Sequence, residues 1–178
     1  QVRNEQGREN TLFVHVTLVP YIDTAGELKS KPTQHSVKEL REIGIQPDIL
    51  ICRSDRSISE DMKTKIALFC NVNPKSVVEA RNVICIYEVP IKFQEQGLDH
   101  LICEHLNIWS RGSDLNELKN IVKIMTKSKD VVTIGIVGKY VELVESYKSL
   151  NEALTHGGIE NQCRVKTQFI ASDEIEQQ

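Results

Sequence analysis

The residues of this sequence best suited to chemistry are two lysines in a short loop. Lys29 and Lys31 precede a helical pattern that ends at Gly44. Thr33 is placed to cap this helix, and Pro32 favours an extended chain before it. Because a helix N-terminus carries partial positive charge, nearby cations are disfavoured there by about 0.3–1 kcal/mol each. Two interpretations are therefore open: the loop binds a phosphate, or it is a solvated basic loop.

Other patterns that carry chemistry in proteins fail here on their spacing. The GIVGKY segment at residues 135–140 is not a phosphate loop, since Thr133 stands at the first glycine position and Tyr140 replaces the hydroxyl that binds Mg²⁺. Cys163 lacks the small neighbours of a nucleophile elbow. The five histidines show no metal-ligand spacing. The lysine-containing loop is left as the principal candidate site.

Alternating strands and helices are predicted to position this loop in a parallel sheet. Residues 11–19 form an apolar, β-branched run typical of a strand covered on both faces, and residues 47–52 form a second strand. A third strand is predicted at residues 83–87, ended by Pro90, with residues 77–78 in a connector before it. The β-α-β-α-β-α order predicts an α/β fold with helices packed on a parallel sheet.

The predicted helices have apolar faces at helical spacing. Either Ser57 or Ser59 caps the helix that contains Lys65, and a later helix, at residues 91–106, is interrupted at Gly97. The apolar positions of the first two helices are Val37, Leu40 and Ile43, then Met62, Ile66, Phe69 and Cys70.

The character of the sequence changes after residue 107. Residues 108–130 read as an interdomain linker that contains one amphipathic helix. A second α/β unit then begins with a buried strand at residues 131–137. It continues with a helix at residues 147–156, closed by Gly157 and Gly158, and a strand at residues 165–171. We therefore predict that residues 1–107 belong to a first domain, residues 108–130 to the linker and residues 131–178 to a second domain.

Composition limits the class of protein. Hydrophobic residues make up 40% and charged residues 26%, as in ordinary soluble globular proteins. The formal net charge of −3 gives no general electrostatic case for nucleic acid or a membrane, and no apolar run approaches the ~18–20 residues that span a bilayer. Five cysteines without a CxxC motif favour a reducing, cytoplasmic compartment. The polar start of the chain shows no signal-peptide pattern and reads as mid-chain sequence.

Three motifs carry a resemblance to a known family. They are LVPY at residues 18–21, GELKSKPTQHSVKEL at residues 26–40 and GIQPD at residues 44–48. On these motifs the sequence resembles the CTP synthase family. The similarity is ungapped, and it extends along essentially the whole chain. The chain, however, corresponds only to a middle section of that family's longer sequence.

The resemblance implies a P-loop synthetase-like (dethiobiotin synthetase-like) α/β fold, a linker and the start of a class I glutamine amidotransferase domain. In the family, ATP phosphorylates the 4-oxygen of UTP, and ammonia released from glutamine displaces the phosphate to give CTP. Mg²⁺ assists, GTP activates and CTP inhibits. The phosphate loop and Mg²⁺ ligands are implied to lie upstream, and the Cys-His-Glu triad downstream. The segment alone is therefore expected to be inactive, within a cytoplasmic homotetrameric ligase.

The family's nucleotide contacts transfer to two groups of residues. Lys65 alone would read as a solvated helix lysine, and Arg81 alone as part of a turn, so both depend on the resemblance. Ser30 replaces the family's usual threonine but keeps the hydroxyl, whereas Arg81 and Asn82 depart from the commonest residues. The implied UTP and CTP contacts are Lys29, Ser30, Lys31, Pro32, Thr33, Gln34 and Lys65, and the implied ATP-adenine contacts are Arg81, Asn82 and Val83.

Two other hypotheses stay open from the sequence. Another P-loop synthetase, such as a dethiobiotin synthetase-like enzyme, would lack the amidotransferase start at residues 131–171. A catalytically inactive relative would serve as a nucleotide-binding or filament-forming module. The upstream and downstream sequence distinguishes the inactive relative, because a missing phosphate loop or nucleophilic cysteine would favour it.

Overall fold

The computed structural model describes residues 1–176, apart from the side chains of Val144, Glu174 and Glu176. Two compact units are present, one spanning Gln1–Leu115 and the other beginning at Asn116. The last two residues of the predicted 131–178 segment lie outside the described residues. Among the described residues, no helix is both long and apolar enough to cross a membrane.

The first unit is built on a three-stranded parallel sheet with helices on both faces. Its strands lie in the order β1 (Val14–Leu18), β4 (Ile49–Ser54) and β5 (Val77–Arg81). The middle strand, β4, therefore pairs in parallel with both neighbours. This confirms the predicted α/β class. The elements are α1 (Val2–Gln6), β1 (Val14–Leu18), β2 (Tyr21–Ile22), β3 (Glu27–Leu28), α2 (Lys31–Glu42), β4 (Ile49–Ser54), α3 (Glu60–Cys70), β5 (Val77–Arg81), α4 (Val89–Glu95) and α5 (Leu98–His105).

Two apolar clusters hold the sheet between its helices. On one face, Val37 of α2 and Ile66 of α3 pack with Leu50 and Cys52 of β4. The opposite face buries Ile49 and Val78 against residues of α4 and α5. Successive strand residues point to opposite faces, so β4 supplies both cores from one short segment.

The third strand is not where the sequence predicted it. The strand is Val77–Arg81, and it pairs with β4 from Leu50↔Val77 to Ser54↔Arg81. The predicted strand at residues 83–87 is wrong: Ile84 is 93% exposed, and the chain then enters a 3₁₀ turn and α4. Both stretches begin with two apolar, β-branched residues, and burial decides between them. Pro90 lies in the first turn of α4, where its missing N–H costs nothing, and does not end a strand.

The predicted burial of β1 is correct for one face only. Thr17 and, just after the strand, Val19 are buried towards α2, whereas Val16 is 59% exposed. Val14 and Leu18 are also exposed on the same side as Val16. Because β1 lies at the edge of the described sheet, α4 and α5 do not extend over this side of it.

Helix ends and faces differ from the sequence pattern in detail. Ser59, and not Ser57, caps α3, since its Oγ accepts a hydrogen bond from the Met62 N–H at 3.3 Å. Phe69 was predicted on the buried face but is exposed, and Ala67 packs into the core instead. Ile43 is likewise exposed, because it follows the last residue of α2.

The outer side of β5 is paired by a side chain. The Gln96 amide accepts from the Glu79 N–H and donates to the Glu79 carbonyl, both at 2.8 Å. Gln96 occupies the break between α4 and α5, where Gly97 adopts a φ of 75°. The predicted interruption at Gly97 is therefore confirmed, and it gives β5 a partner for its central residue.

A histidine connects β1 to α2. The Nε2 atom of His15 lies 2.7 Å from the hydroxyl oxygen of Ser36. Burial lowers the pKa of His15 below its ordinary value of 6.5, because a charged imidazolium is less well solvated at this half-buried position.

The second unit pairs two parallel strands beside a helix. Its elements are α6 (Asn116–Lys127), β6 (Val131–Gly138), α7 (Lys148–Glu160), β7 (Arg164–Ala171) and α8 (Ser172–Glu176). Both predicted strands are present, in register from Val131↔Arg164 to Gly138↔Ala171. The predicted helix end at Gly157 and Gly158 is wrong, since α7 continues through both glycines.

Close packing explains the glycine at 158. A Cβ atom there would lie 2.7 Å from Val165 Cγ2 and 2.8 Å from the Cys163 carbonyl oxygen, whereas one at Gly157 would meet nothing within 4 Å. We therefore expect Gly158→Ala to destabilise this unit by about 1–3 kcal/mol. Gly157→Ala, the matched control, should be neutral or stabilising by up to ~1 kcal/mol. Thermal denaturation of the full-length variants measures both; equal shifts would contradict the packing argument.

The lowered pKa of His15 predicts a dependence of stability on pH. Below pH 6.5 the unfolded chain binds a proton at this position before the folded chain does, so stability falls as the pH falls. His15→Gln should flatten this slope between pH 6.5 and the lower folded-state pKa. Chemical denaturation across that interval measures it, with His35→Gln on the exposed surface of α2 as control. An unchanged slope in His15→Gln would contradict the assignment.

Candidate functional site

The carboxyl ends of the three parallel strands meet at one edge of the sheet. The Val19 N–H donates to the Arg53 carbonyl at 2.8 Å, and the Asn82 N–H donates to the Ser54 carbonyl at 3.3 Å. These bonds keep the segments that leave the strands close together. Parallel α/β sheets usually place their binding residues at this edge, in the loops that follow the strands.

A small hairpin returns the chain from β1 to the start of α2. Its strands β2 and β3 pair antiparallel, with Tyr21 opposite Leu28 and Ile22 opposite Glu27. The Lys29 N–H then donates to the Pro20 carbonyl at 2.9 Å. The hairpin thus fixes the backbone of Lys29 beside the chain that leaves β1.

Arg56 attaches this hairpin to the segment after β4. Its guanidinium carbon lies 3.4 Å from the centroid of the Tyr21 ring, a cation–π arrangement. A guanidinium nitrogen also lies 3.7 Å from a carboxylate oxygen of Asp23. Both partners of Arg56 come from the β2–β3 hairpin, whose pairing only the structure reveals.

The start of α2 differs from the predicted cap. The helix begins at Lys31, and Ser30 occupies the N-cap position without a side-chain capping bond. Thr33 is wrong as a cap: its side chain is fully buried, and its hydroxyl donates to the Leu18 carbonyl at 3.0 Å. The prediction that Pro32 keeps the chain before it extended is also wrong, because the preceding residue, Lys31, is already helical and Pro32 lies in the first turn, where proline is well tolerated.

Buried polar contacts hold the loop in place. The Thr17 hydroxyl donates to the Thr33 hydroxyl at 3.2 Å, which joins β1 to α2. Ser30 is buried, and its Oγ accepts from the Gln34 amide at 3.0 Å. Three of the predicted contact residues, Ser30, Thr33 and Gln34, therefore hold the loop in place through hydrogen bonds. Lys31 is exposed at the surface of the loop.

Glu27 is affected by the charges of two of the predicted lysines. Its carboxylate forms an ion pair with the Lys29 ammonium group. The pKa of Glu27 is lowered, first by this hydrogen bond and the charge of Lys29, and further by the charge of Lys65. Lys65 belongs to α3, so the charge of a lysine on the next helix contributes to the electrostatic environment of Glu27, while its role as a nucleotide contact stays a prediction. Glu27 itself was missed by the sequence analysis.

This arrangement has the properties of an anion site. The first N–H groups of α2 lack acceptors within the helix, and the helix dipole places partial positive charge there. Lys29, two residues before the helix, and Lys31, its exposed first residue, add full charges near the same end. Such a combination favours a phosphate group over a neutral ligand.

A separate cleft lies beside the ends of β4 and β5. Its volume is about 460 Å³, within the range of small-molecule sites. Arg81, Asn82 and Val83, the three predicted adenine contacts, all line it. Much of the remaining lining is apolar and consists of Val16, Ile51, Ala80, Ile86, Val89 and Phe93.

Two charged contacts shape the polar side of the cleft. The Arg53 guanidinium donates to the Asn82 side-chain oxygen at 2.9 Å. The Arg81 Nε lies 3.4 Å from a carboxylate oxygen of Glu79. Both arginine side chains therefore have acidic or amide partners at this position. The apolar side chains of the lining face the remaining space of the cleft.

The thiols are poorly placed for nucleophilic or metal chemistry. Burial raises the pKa of the Cys52 thiol to about 12, and Cys70 is buried beside it with a raised pKa. A thiol in that state is an inert apolar group. Within residues 1–176, no three histidine, cysteine or acidic side chains are grouped as metal ligands.

Comparison with known proteins identifies the relatives of this chain. A family profile described as CTP synthase N-terminus matches residues 1–108. The chain is 57% identical over 176 residues to the CTP synthase of Syntrophus aciditrophicus, covering 99% of this chain and 33% of that protein. The CTP synthase of Geobacter metallireducens is 56% identical over 177 residues, with 99% and 33% covered. That of Geotalea uraniireducens is 55% identical over 179 residues, with 100% and 34% covered.

The chain thus spans about a third of the length of the curated relatives that it matches. The profile covers the whole three-stranded sheet and the loop from Lys29 to Gln34. With a match over more than half of its length, the chain belongs to the CTP synthase family.

Proposed function

We propose that the full-length protein is a ligase that uses ATP to aminate UTP to CTP with ammonia from glutamine. The observation that carries this proposal is the basic loop at the start of α2, where Lys29 pairs with Glu27 and Lys31 is the first residue of the helix. An enzyme that binds a nucleotide triphosphate needs such a concentration of positive charge. Membership of the CTP synthase family identifies UTP and CTP as the nucleotides proposed to bind here.

In this proposal, the loop and α3 hold the triphosphate of UTP and of the inhibitor CTP. Lys29, Lys31 and Lys65 supply the charges, and charge-assisted hydrogen bonds contribute about 1.5–3 kcal/mol each. The remaining proposed contacts, Ser30, Pro32, Thr33 and Gln34, shape the backbone around them. Because these residues would bind phosphates and not the base, UTP and CTP should be bound similarly.

The cleft beside β5 is the proposed adenine site of ATP. Its apolar lining suits a flat heterocycle, and it includes Arg81, Asn82 and Val83, for which the resemblance implies adenine contacts. The backbone of these residues would provide the contacts, which reduces the consequence of the unusual side chains at Arg81 and Asn82. Mg²⁺ would be held by carboxylates outside this segment.

We also propose the wider organisation of the protein. Residues 1–107 would form the end of the synthetase domain, 108–130 the linker and 131–178 the start of the glutamine amidotransferase domain. The protein would be a cytoplasmic homotetramer activated by GTP, with neighbouring subunits completing each nucleotide site. Two parallel strands with an adjacent helix after residue 130 support an α/β unit there.

Removing either lysine should weaken UTP and CTP binding together. In the full-length protein, Lys29→Ala or Lys65→Ala should raise the UTP concentration at half-maximal rate roughly ten- to a hundredfold, the loss of one charged contact. The concentration of CTP that halves the rate should rise in parallel. Lys38→Ala, which removes an exposed lysine of α2 paired with Glu42, is the control. Unchanged CTP inhibition with impaired UTP use would contradict a shared triphosphate site.

The segment alone should be inactive, because the proposed phosphate loop and amidotransferase triad lie outside it. Purified 178-residue chain, supplied with ATP, Mg²⁺, UTP and ammonia, should form no CTP, whereas the full-length protein should form it. Detectable CTP from the segment would overturn this prediction. An inactive full-length protein that still binds UTP would instead support the catalytically inactive relative.

A further inference from the structure

Glu27 occupies a fixed position beside the proposed triphosphate site. Its backbone pairs with Ile22 in the β2–β3 hairpin, and its side chain is 61% exposed. Lys29 follows two residues later, so both side chains project to the same side of the extended chain, where they form their ion pair. The carboxylate therefore lies among the charges assigned to the ligand, and nothing in the proposed reaction assigns it a role.

We propose that Glu27 is an internal counter-ion that competes with the nucleotide triphosphate for Lys29, and so limits how tightly the protein binds UTP and CTP. The inference rests on the proposed function of this loop. It goes beyond that function because it assigns an acidic residue of the same site a role in setting affinity.

The competition has two physical parts. Before binding, the carboxylate holds the Lys29 ammonium group, and this contact must break before a phosphate takes its place. Exposed ion pairs of this kind are weak, so the exchange is rapid and reversible. After binding, the paired backbone keeps the carboxylate near the phosphates, where it repels them.

Glu27 keeps its charge under working conditions. The hydrogen bond and charge of Lys29, with the charge of Lys65, lower its pKa below the ordinary value for glutamate. The carboxylate is therefore ionised throughout the neutral range, and the competition does not depend on small changes of pH there. Because it acts on phosphates, it should affect UTP and CTP by the same factor and leave selection of the base unchanged.

Glu27→Gln in the full-length protein tests this inference directly. The probes are inorganic tripolyphosphate, UTP and CTP, titrated calorimetrically at one fixed ionic strength. All three should bind roughly three- to tenfold more tightly, by a common factor, as expected for removing one exposed charge. Glu27→Asp, which keeps the charge but shortens the side chain, should give a smaller gain and guards against misfolding of the first variant.

The control makes the same change of net charge elsewhere. Glu42 is an exposed glutamate paired with Lys38 at the far end of α2, so Glu42→Gln should leave all three affinities unchanged. In a Lys29→Ala background, the gain from Glu27→Gln should shrink, because part of the competition has been removed. An equal gain in both backgrounds would overturn competition for Lys29.

The outcomes separate this inference from the proposed function. If Lys29→Ala and Lys65→Ala weaken tripolyphosphate binding but Glu27→Gln does not change it, the counter-ion role is wrong and the triphosphate site stands. If neither lysine variant affects binding, the proposed site itself fails. Weaker binding in Glu27→Gln, above all with Mg²⁺ present, would show that the carboxylate assists the ligand, and would overturn the inference.

Discussion

The parallel pairing of β4 with two neighbours is the constraint on which the first unit depends. It brings the ends of β1, β4 and β5 to one edge and places buried residues on both faces of the sheet. The loop from Lys29 to Gln34, proposed to bind the triphosphate of UTP, and the proposed adenine cleft both lie at this edge. Strand order would thus place two of the proposed nucleotide contacts at the same edge of the sheet.

Polar side chains under the loop determine which groups reach solvent. Thr33 donates to the end of β1, and Ser30 accepts from Gln34, so the short polar residues face inward. Arg56 holds the hairpin from the other side by stacking on Tyr21. The backbone of the loop is therefore ordered before any ligand arrives, which reduces the conformational entropy lost on binding. The lysines are left with their charged groups accessible to solvent.

Sequence reasoning predicted the features that depend on periodicity and family motifs. The parallel α/β class, the strand at β4, the break at Gly97 and both strands of the second unit follow from apolar runs and glycines. It failed where two apolar runs competed, because only burial distinguishes residues 77–81 from 83–87. It also failed at Thr33, whose partners Thr17 and Leu18 belong to β1, and at Gly158, whose close contacts with Cys163 and Val165 depend on how the chain turns after α7. Glu27 was missed because its importance depends on the hairpin that aligns it with Lys29.

The Gln96 amide has a consequence for how this sheet grows. It occupies the outward N–H and carbonyl of Glu79, so a strand approaching β5 would first have to displace a well-formed pair of hydrogen bonds. At the opposite edge, β1 has no such protection among residues 1–176, and it exposes Val14, Val16 and Leu18. The two edges of the sheet therefore differ. Addition of a further β-strand, from the same polypeptide or another, is disfavoured at the β5 edge and favoured at the β1 edge.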